Sequence, residues 1–226
     1  MTSLFANRYA PIENGIGYLR VPFDEAASAL REWVAEFHPP WYVSAFGATL
    51  NEALERLQPL NHGFVLLAET HSEWTAVFSD DHWPLSPVSV MNRRLKCDGM
   101  LVMCVHDTYV EAENRGRLGG CQFYFMDTSR GDERSVSVIN DCGSWHFEQH
   151  GEALDWEYLE AYRRRNVRDR LTPEMLQQYC DHLGIKIWVP EYYGQHFMKA
   201  WSPVLAGTSR TYAELQRELR MDGEGT

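Results

Sequence analysis

Met100-Leu101-Val102-Met103-Cys104-Val105 is the stretch on which the fold turns. Six apolar residues in a row, without polar alternation, describe a strand buried on both faces. Asp98-Gly99 turns the chain into it, and His106-Asp107 follows. Such a strand needs paired neighbours at its sides and apolar cover above and below. The rest of the chain must supply both.

Strand signals lie on either side. Gly15 to Val21 alternates Ile16 and Tyr18 with smaller or polar residues, and Pro22 ends it. Trp41 to Phe46 reads as a second strand. Phe64 to Ala68 and Trp74 to Phe78 are joined by the polar hairpin Glu69 to Glu73. Downstream, Gln122 to Met126 and Ser135 to Ile139 are further strands. Asn140 to Gly143 is turn chemistry, and Trp145 to Phe147 returns antiparallel. Ile185 to Val189 reads as an edge strand. The charged, Gly-rich stretch Glu111 to Gly120 reads as a mobile loop.

The helices carry their own punctuation. Asp24 is positioned to cap a helix through Phe37, with Ala27, Leu30, Val34 and Phe37 on one face and Pro39-Pro40 as its stop. Thr49 with Glu52 forms a capping box ahead of Leu50, Ala53, Leu54 and Leu57, and Pro59 and Asn61 end that helix. Ser86-Pro87 is a start signal for a face of Val88, Met91 and Leu95. Asp155 to Tyr162 reads as a short helix. Thr172-Pro173-Glu174 opens another, with Met175, Leu176, Tyr179, Cys180 and Leu183 as its buried stripe and Gly184 closing it in left-handed geometry. Thr211 with Glu214 boxes a last helix carrying Leu215 and Leu219, and Met221 to Thr226 is a polar tail. Hairpins in the middle and helices toward both ends predict an α+β fold. Its sheet is mainly antiparallel and covered by helices. One domain spans residues 1–226, with a more helical portion from about residue 152.

Charge narrows the function. The chain of 226 residues holds 32 Asp and Glu against 21 Lys and Arg, a formal net charge of −11. It also holds eight Trp, eleven Tyr and ten Phe, which is the composition of a folded domain rather than a disordered acidic one. A negative surface repels nucleic acid and anionic membranes and attracts basic partners. No run approaches the ~20 apolar residues that span a bilayer, and residues 1–10 lack the apolar core of a secretory signal. Cys97, Cys104, Cys121, Cys142 and Cys180 are odd in number and contain no CxxC. They read as reduced thiols of a cytoplasmic protein, most of them small buried hydrophobes.

Two tracts combine carboxylates with aromatics in the manner of a binding hot spot for a basic partner. They are Asp80, Asp81, His82 and Trp83, and Glu191, Tyr192 and Tyr193, the latter continuing to His196, Phe197 and Trp201. Other clusters have a plainer reading. His146, Glu148 and His150 fall on one side of a predicted strand, as a solvated face does; the alternative is a metal or acid–base cluster. His106-Asp107 has no Ser or Cys in a motif context to complete a triad, although Cys104 faces the same side as His106. Gly116, Gly119 and Gly120 with Arg115 and Arg117 lack the spacing of a phosphate loop. Arg163, Arg164, Arg165, Arg168 and Arg170 are the one basic concentration, expected to pair with Glu157, Glu160, Glu174 and a helix end. No catalytic residue, metal or cofactor is expected.

Ser72-Glu73-Trp74-Thr75-Ala76-Val77-Phe78 and Arg168-Asp169-Arg170-Leu171-Thr172-Pro173-Glu174-Met175-Leu176 resemble segments of bacterial single-domain proteins of similar length. That likeness brings no assigned activity, so no functional residue is carried over from it. In character rather than in motif, the chain resembles immunity proteins of bacterial toxin systems: acidic, cytoplasmic α+β domains without cofactors. The resemblance implies a binding module that masks a basic protein, such as a toxin domain. The alternatives are an enzyme for a small or cationic substrate, with its site near His106, His146, His150 and the Asp80–Trp83 loop, and an assembly subunit.

Overall fold

Residues 4–60, 63–80, 84–113, 115–202, 204 and 210–219 are described by a computed structural model. Among them, nine strands run β1 (Gly15–Leu19), β2 (Tyr42–Gly47), β3 (Phe64–Thr70), β4 (Thr75–Ser79), β5 (Gly99–Val105), β6 (Gly120–Asp127), β7 (Asp132–Asp141), β8 (Ser144–His150) and β9 (Tyr193–Trp201). Five α-helices accompany them: α1 (Phe23–Ala35), α2 (Leu50–Glu55), α3 (Leu85–Leu95), α4 (Pro173–His182) and α5 (Tyr212–Glu218). The strands form one sheet in the order β2-β9-β3-β4-β1-β5-β6-β7-β8, with every neighbouring pair antiparallel. The protein is a single α+β domain, as the sequence predicts. Among the described residues no helix is long and apolar enough to cross a membrane.

The apolar run that opens the argument is β5, held between β1 and β6. Its side chains alternate between two cores. Met100 and Val102 join Tyr18, Leu66, Phe78 and Phe123 on the face covered by α2, α4 and α5. Leu101 joins Leu67 and Val77 under Leu30 and Val34 of α1 and Val88 and Met91 of α3. Burial of both faces is what removes the polar alternation from β3, β4 and β5. Beyond β6 no helix among the described residues covers the second face, and alternation returns: Trp145 and Phe147 of β8 pack inward while His146, Glu148 and His150 are exposed.

Several local expectations give way to tertiary structure. Helix α1 starts at Phe23 after Pro22 without a side-chain cap, so Asp24 lies inside the first turn. Helix α3 likewise starts at Leu85 after Pro84, ahead of Ser86. The capping boxes at Thr49–Glu52 and Thr211–Glu214 form, as does the Thr172 cap, and Gly184 takes φ +76°. The Glu111–Gly120 loop is tied down rather than free. Arg115 donates to the carbonyl of Arg217 at 2.5 Å, and the buried Arg117 donates to Asn14 Oδ1 at 2.6 Å. Residues 185–189 form no strand; the C-terminal strand is β9, which is inserted between β2 and β3 rather than at an edge. Asn61 and the tail 221–226 lie outside the described residues.

The predicted helix at Asp155–Tyr162 is the clearest departure, and its cause is one carboxylate. Arg134 on β7 makes a two-pronged contact with Glu157, Nε to Oε1 at 2.8 Å and NH2 to Oε2 at 2.6 Å. Both side chains are buried, at 4% and 0% exposure. Arg134 also donates to the carbonyls of His150 and Gly151 and to Gln149 Oε1. Glu157 in turn accepts from the Leu154 N–H and the Tyr162 hydroxyl. With its polar partners satisfied, the pair holds residues 151–160 in bends and turns after β8, leaving only a 3-10 turn at Ala161–Arg163. Removing one partner strands a buried charge. Glu157→Gln is therefore expected to lower stability to urea by about 3–5 kcal/mol, and the double change Arg134→Met with Glu157→Leu by much less. Equal losses in the two variants would contradict this account of the pair.

Candidate functional site

Strand β9 does not stay in register with β3. Ala68 pairs with Phe197, but Thr70 pairs with Tyr193. Glu69 alone therefore faces Gly194, Gln195 and His196, so that β9 carries two extra residues. A bulge of this kind breaks the ladder and re-aims side chains. Here it frees the N–H groups of Gln195 and His196, and Glu69 collects them: Oε2 accepts from Gln195 N at 3.2 Å and His196 N at 3.3 Å. The same oxygen lies 2.7 Å from His196 Nδ1. Gly194 makes this approach possible, because a Cβ there would lie 2.8 Å from Cγ and Cδ of Glu69.

The pair stands between two clefts. The larger, of about 830 Å³, is lined by Phe23, Asp24, Arg31 and Phe46. The smaller, of about 530 Å³, is lined by Phe5, Asn51, His71, Glu191 and Tyr193. Glu69 and His196 line both. The smaller cleft is lined by two carboxylates, two histidines and the phenol of Tyr193, with no Lys or Arg among the described residues that line it. Glu69 is partly buried. Burial works to raise its pKa, but the hydrogen bond and charge of His196 and the two backbone N–H groups outweigh it, leaving the carboxyl below the usual 4.5. His196 is exposed. A carboxylate at Nδ1 fixes the ring and leaves Nε2 for a ligand.

The residues singled out in the sequence scatter around this site. Glu191 is exposed on the rim of the smaller cleft. Tyr192 and Tyr193 are buried, contrary to a surface role for their hydroxyls. Tyr192 bonds Ser72 Oγ at 2.7 Å; Tyr193 bonds the Tyr18 hydroxyl at 2.8 Å and the Ile187 carbonyl at 3.0 Å. Burial pushes both phenols up. Phe197 is core, stacked on Phe46. Asp80 lies at the other end of β3 and β4, where its Oδ2 accepts the Gly63 N–H at 2.5 Å. The seven residues of β3 separate the two tracts by roughly 20 Å at the usual rise per residue. Asp81, His82 and Trp83 lie outside the described residues.

The other clusters do not converge on it. His146, Glu148 and His150 are exposed on the uncovered face at β8, whereas His106 lines a third cleft on the opposite side with Trp145. Among the described residues no group of three or more His, Cys, Asp or Glu is placed to hold a metal. The arginine cluster meets no α-helix C-terminus among the described residues; Arg163 and Arg168 fall only in short 3-10 turns. Arg168 and Arg170 lie over the rings of Trp145 and Phe147 at 4.5 and 5.5 Å, Arg164 and Arg170 bond local carbonyls, and only Arg163 takes an expected partner, Glu160 at 3.2 Å. Glu69 itself reads in the sequence only as the first residue of a polar hairpin. Its signal was spatial, since His196 is 127 positions away.

A carboxyl held below 4.5 stabilises the fold above that pH, and the contribution is lost as pH falls through the folded-state pKa. Carbon-13 NMR titration of the Glu69 side chain is expected to give a value below 4.5 in the native chain and a higher one in His196→Ala, where burial is less opposed. Gly194→Ala is expected to shift it in the same direction by displacing the carboxylate. An unchanged titration in both variants would dissolve the pair as described.

No protein-family model matches this chain, and no curated protein or solved structure matches it either.

Proposed function

We propose that this protein is an acidic binding module of the immunity or antitoxin type, which masks a basic protein partner in the cytoplasm. The observation that carries the proposal is the cleft between Glu69 and Glu191. It is open, it is walled by Phe5 and Tyr193, and it holds carboxylates without a Lys or Arg among its described lining. A lysine or arginine of the partner fits there, with its stem on the aromatic walls and its charge between the carboxylates. Glu69 is preorganised for this, because three hydrogen bonds already fix its Oε2. The net charge of −11 supports fast encounter with a positive surface. The bacterial resemblance of character agrees with this reading. It now centres on Glu191 and the bulge, and not on the hydroxyls of Tyr192 and Tyr193.

A second reading is favoured by the 2.7 Å contact itself. A histidine oriented by a carboxylate is the arrangement of a general base, so an enzyme acting on a small or cationic substrate remains the competing proposal. The two differ in what His196→Ala does. In the enzyme it abolishes turnover and spares binding; in the module it weakens binding alone.

The tagged full chain is used to capture partners from its native extract at low and high salt, beside Glu191→Lys and, as a control at the far edge, Glu148→Lys. The expected result is one basic protein in stoichiometric amount, held less well as salt rises. Glu191→Lys is expected to weaken it about tenfold or more, and Glu148→Lys to leave it unchanged. Equal weakening by both variants, or no specific partner at either salt, would overturn the proposal.

A further inference from the structure

Cys104 on β5 and Cys121 on β6 face each other directly in the ladder, with their sulfurs 3.5 Å apart. The hydrogen-bond phase of the sheet says which kind of pair this is. Arg20 N–H bonds the Asp98 carbonyl, so Asp98, Met100, Val102 and Cys104 aim their backbone groups toward β1. On the other side Asn140 N–H bonds the Gly119 carbonyl, so Gly119 and Cys121 aim theirs toward β7. Cys104 and Cys121 therefore form a non-hydrogen-bonded pair, the closer of the two antiparallel types, with Cα atoms about 4.5 Å apart. That spacing is within the range a disulfide bridges without movement of the strands.

The pair is also reachable. Both cysteines line a cleft of about 350 Å³ together with His106, Asp107, Trp145 and Arg168. Cys104 is partly exposed and Cys121 is buried. The hydrogen bond between the two sulfurs, together with burial, pushes the Cys121 thiol well above the usual range, so Cys121 keeps its proton. In the same cleft wall the indole Nε1 of Trp145 is buried without a hydrogen-bond partner among the described residues. An orphan donor beside a dithiol, under the Arg168 guanidinium that covers the Trp145 ring, suits a small ligand that accepts hydrogen bonds.

We infer that Cys104 and Cys121 are a reactive dithiol site that reduces a small hydroperoxide entering this cleft. The Cys104 thiolate attacks the terminal peroxide oxygen and the O–O bond breaks. Cys104 becomes a sulfenic acid, and the other oxygen takes up a proton and leaves as an alcohol from an organic hydroperoxide or as water from hydrogen peroxide. The Cys121 sulfur then attacks the Cys104 sulfur while its proton passes to the sulfenic oxygen; the S–S bond forms, and that oxygen leaves as water. The two thiols are oxidised by two electrons in total and the hydroperoxide is reduced by two. A dithiol reductant returns the pair by exchange. The site lies on the β5–β6 strands, away from the Glu69 bulge, and does not depend on the binding proposal.

The test uses the full chain carrying Cys142→Ser, because Cys142 is exposed and would compete. It is treated with hydrogen peroxide or cumene hydroperoxide, then mapped by peptide mass spectrometry. The expected result is loss of two thiols to a Cys104–Cys121 disulfide, reversed by dithiothreitol. Cys121→Ser is expected to stop at a Cys104 sulfenic acid that dimedone traps, and Cys104→Ser to leave Cys121 reduced. Circular dichroism on both variants guards against misfolding. Oxidation that spares both cysteines, or that carries Cys104 to sulfinic acid without bridging while Cys121 is present, would overturn the inference.

Discussion

The bulge between β3 and β9 is the constraint from which the rest of the site follows. A nine-stranded sheet accepts β9 as an internal strand only if its backbone groups find partners on both sides. For most of its length the ladders with β2 and β3 supply them. At Gln195 and His196 the β3 ladder fails, and the Glu69 carboxylate substitutes for it. The same carboxylate that repairs the backbone orients a histidine and lines two clefts. The backbone repair and the proposed recognition therefore share one group. This explains why Gly194 sits where a side chain would collide with it.

The two halves of the sheet do different work. Toward β2, β9 and β3 lie the two clefts that share Glu69 and His196. Toward β6, β7 and β8 it keeps its one concentration of arginine, which is spent on packing over Trp145 and Phe147 and on local carbonyls. The buried Arg134–Glu157 pair secures that half. Cations in this protein are thus largely held by its own aromatics and carboxylates. That leaves the excess of Asp and Glu to define the outer field.

Much of the fold was legible from local pattern. The run Met100–Val105, the hairpin that joins β3 to β4 and the capping boxes at Thr49 and Thr211 all depend on neighbours in sequence, and the structure keeps them, with the hairpin turn at residues 71–74 and Glu69 in the strand. What was not legible depends on partners far along the chain. Residues 155–162 carry a helical pattern, yet Arg134 claims Glu157 and holds the segment in turns. β9 reads poorly as a strand because Gly194, Gln195 and His196 interrupt its apolar residues, and that interruption is the bulge. Glu191 is exposed, as its charge suggests, whereas Tyr192 and Tyr193 beside it are buried, because phenols serve equally well as buried hydrogen-bonding groups. Cys104 and Cys121 become a pair only once the β5–β6 register is known.

The central claim is that the cleft between Glu69 and Glu191 accepts a cationic side chain. A nitrogen-15 NMR titration of the full chain with a short lysine- and arginine-containing peptide addresses it without any knowledge of the natural partner. The account predicts shifts concentrated at Glu69, His71, Glu191, Gly194, Gln195 and His196, fading as salt is raised and absent in Glu191→Lys. Shifts spread evenly over the acidic surface, or centred on His146 and His150 of β8, would contradict it.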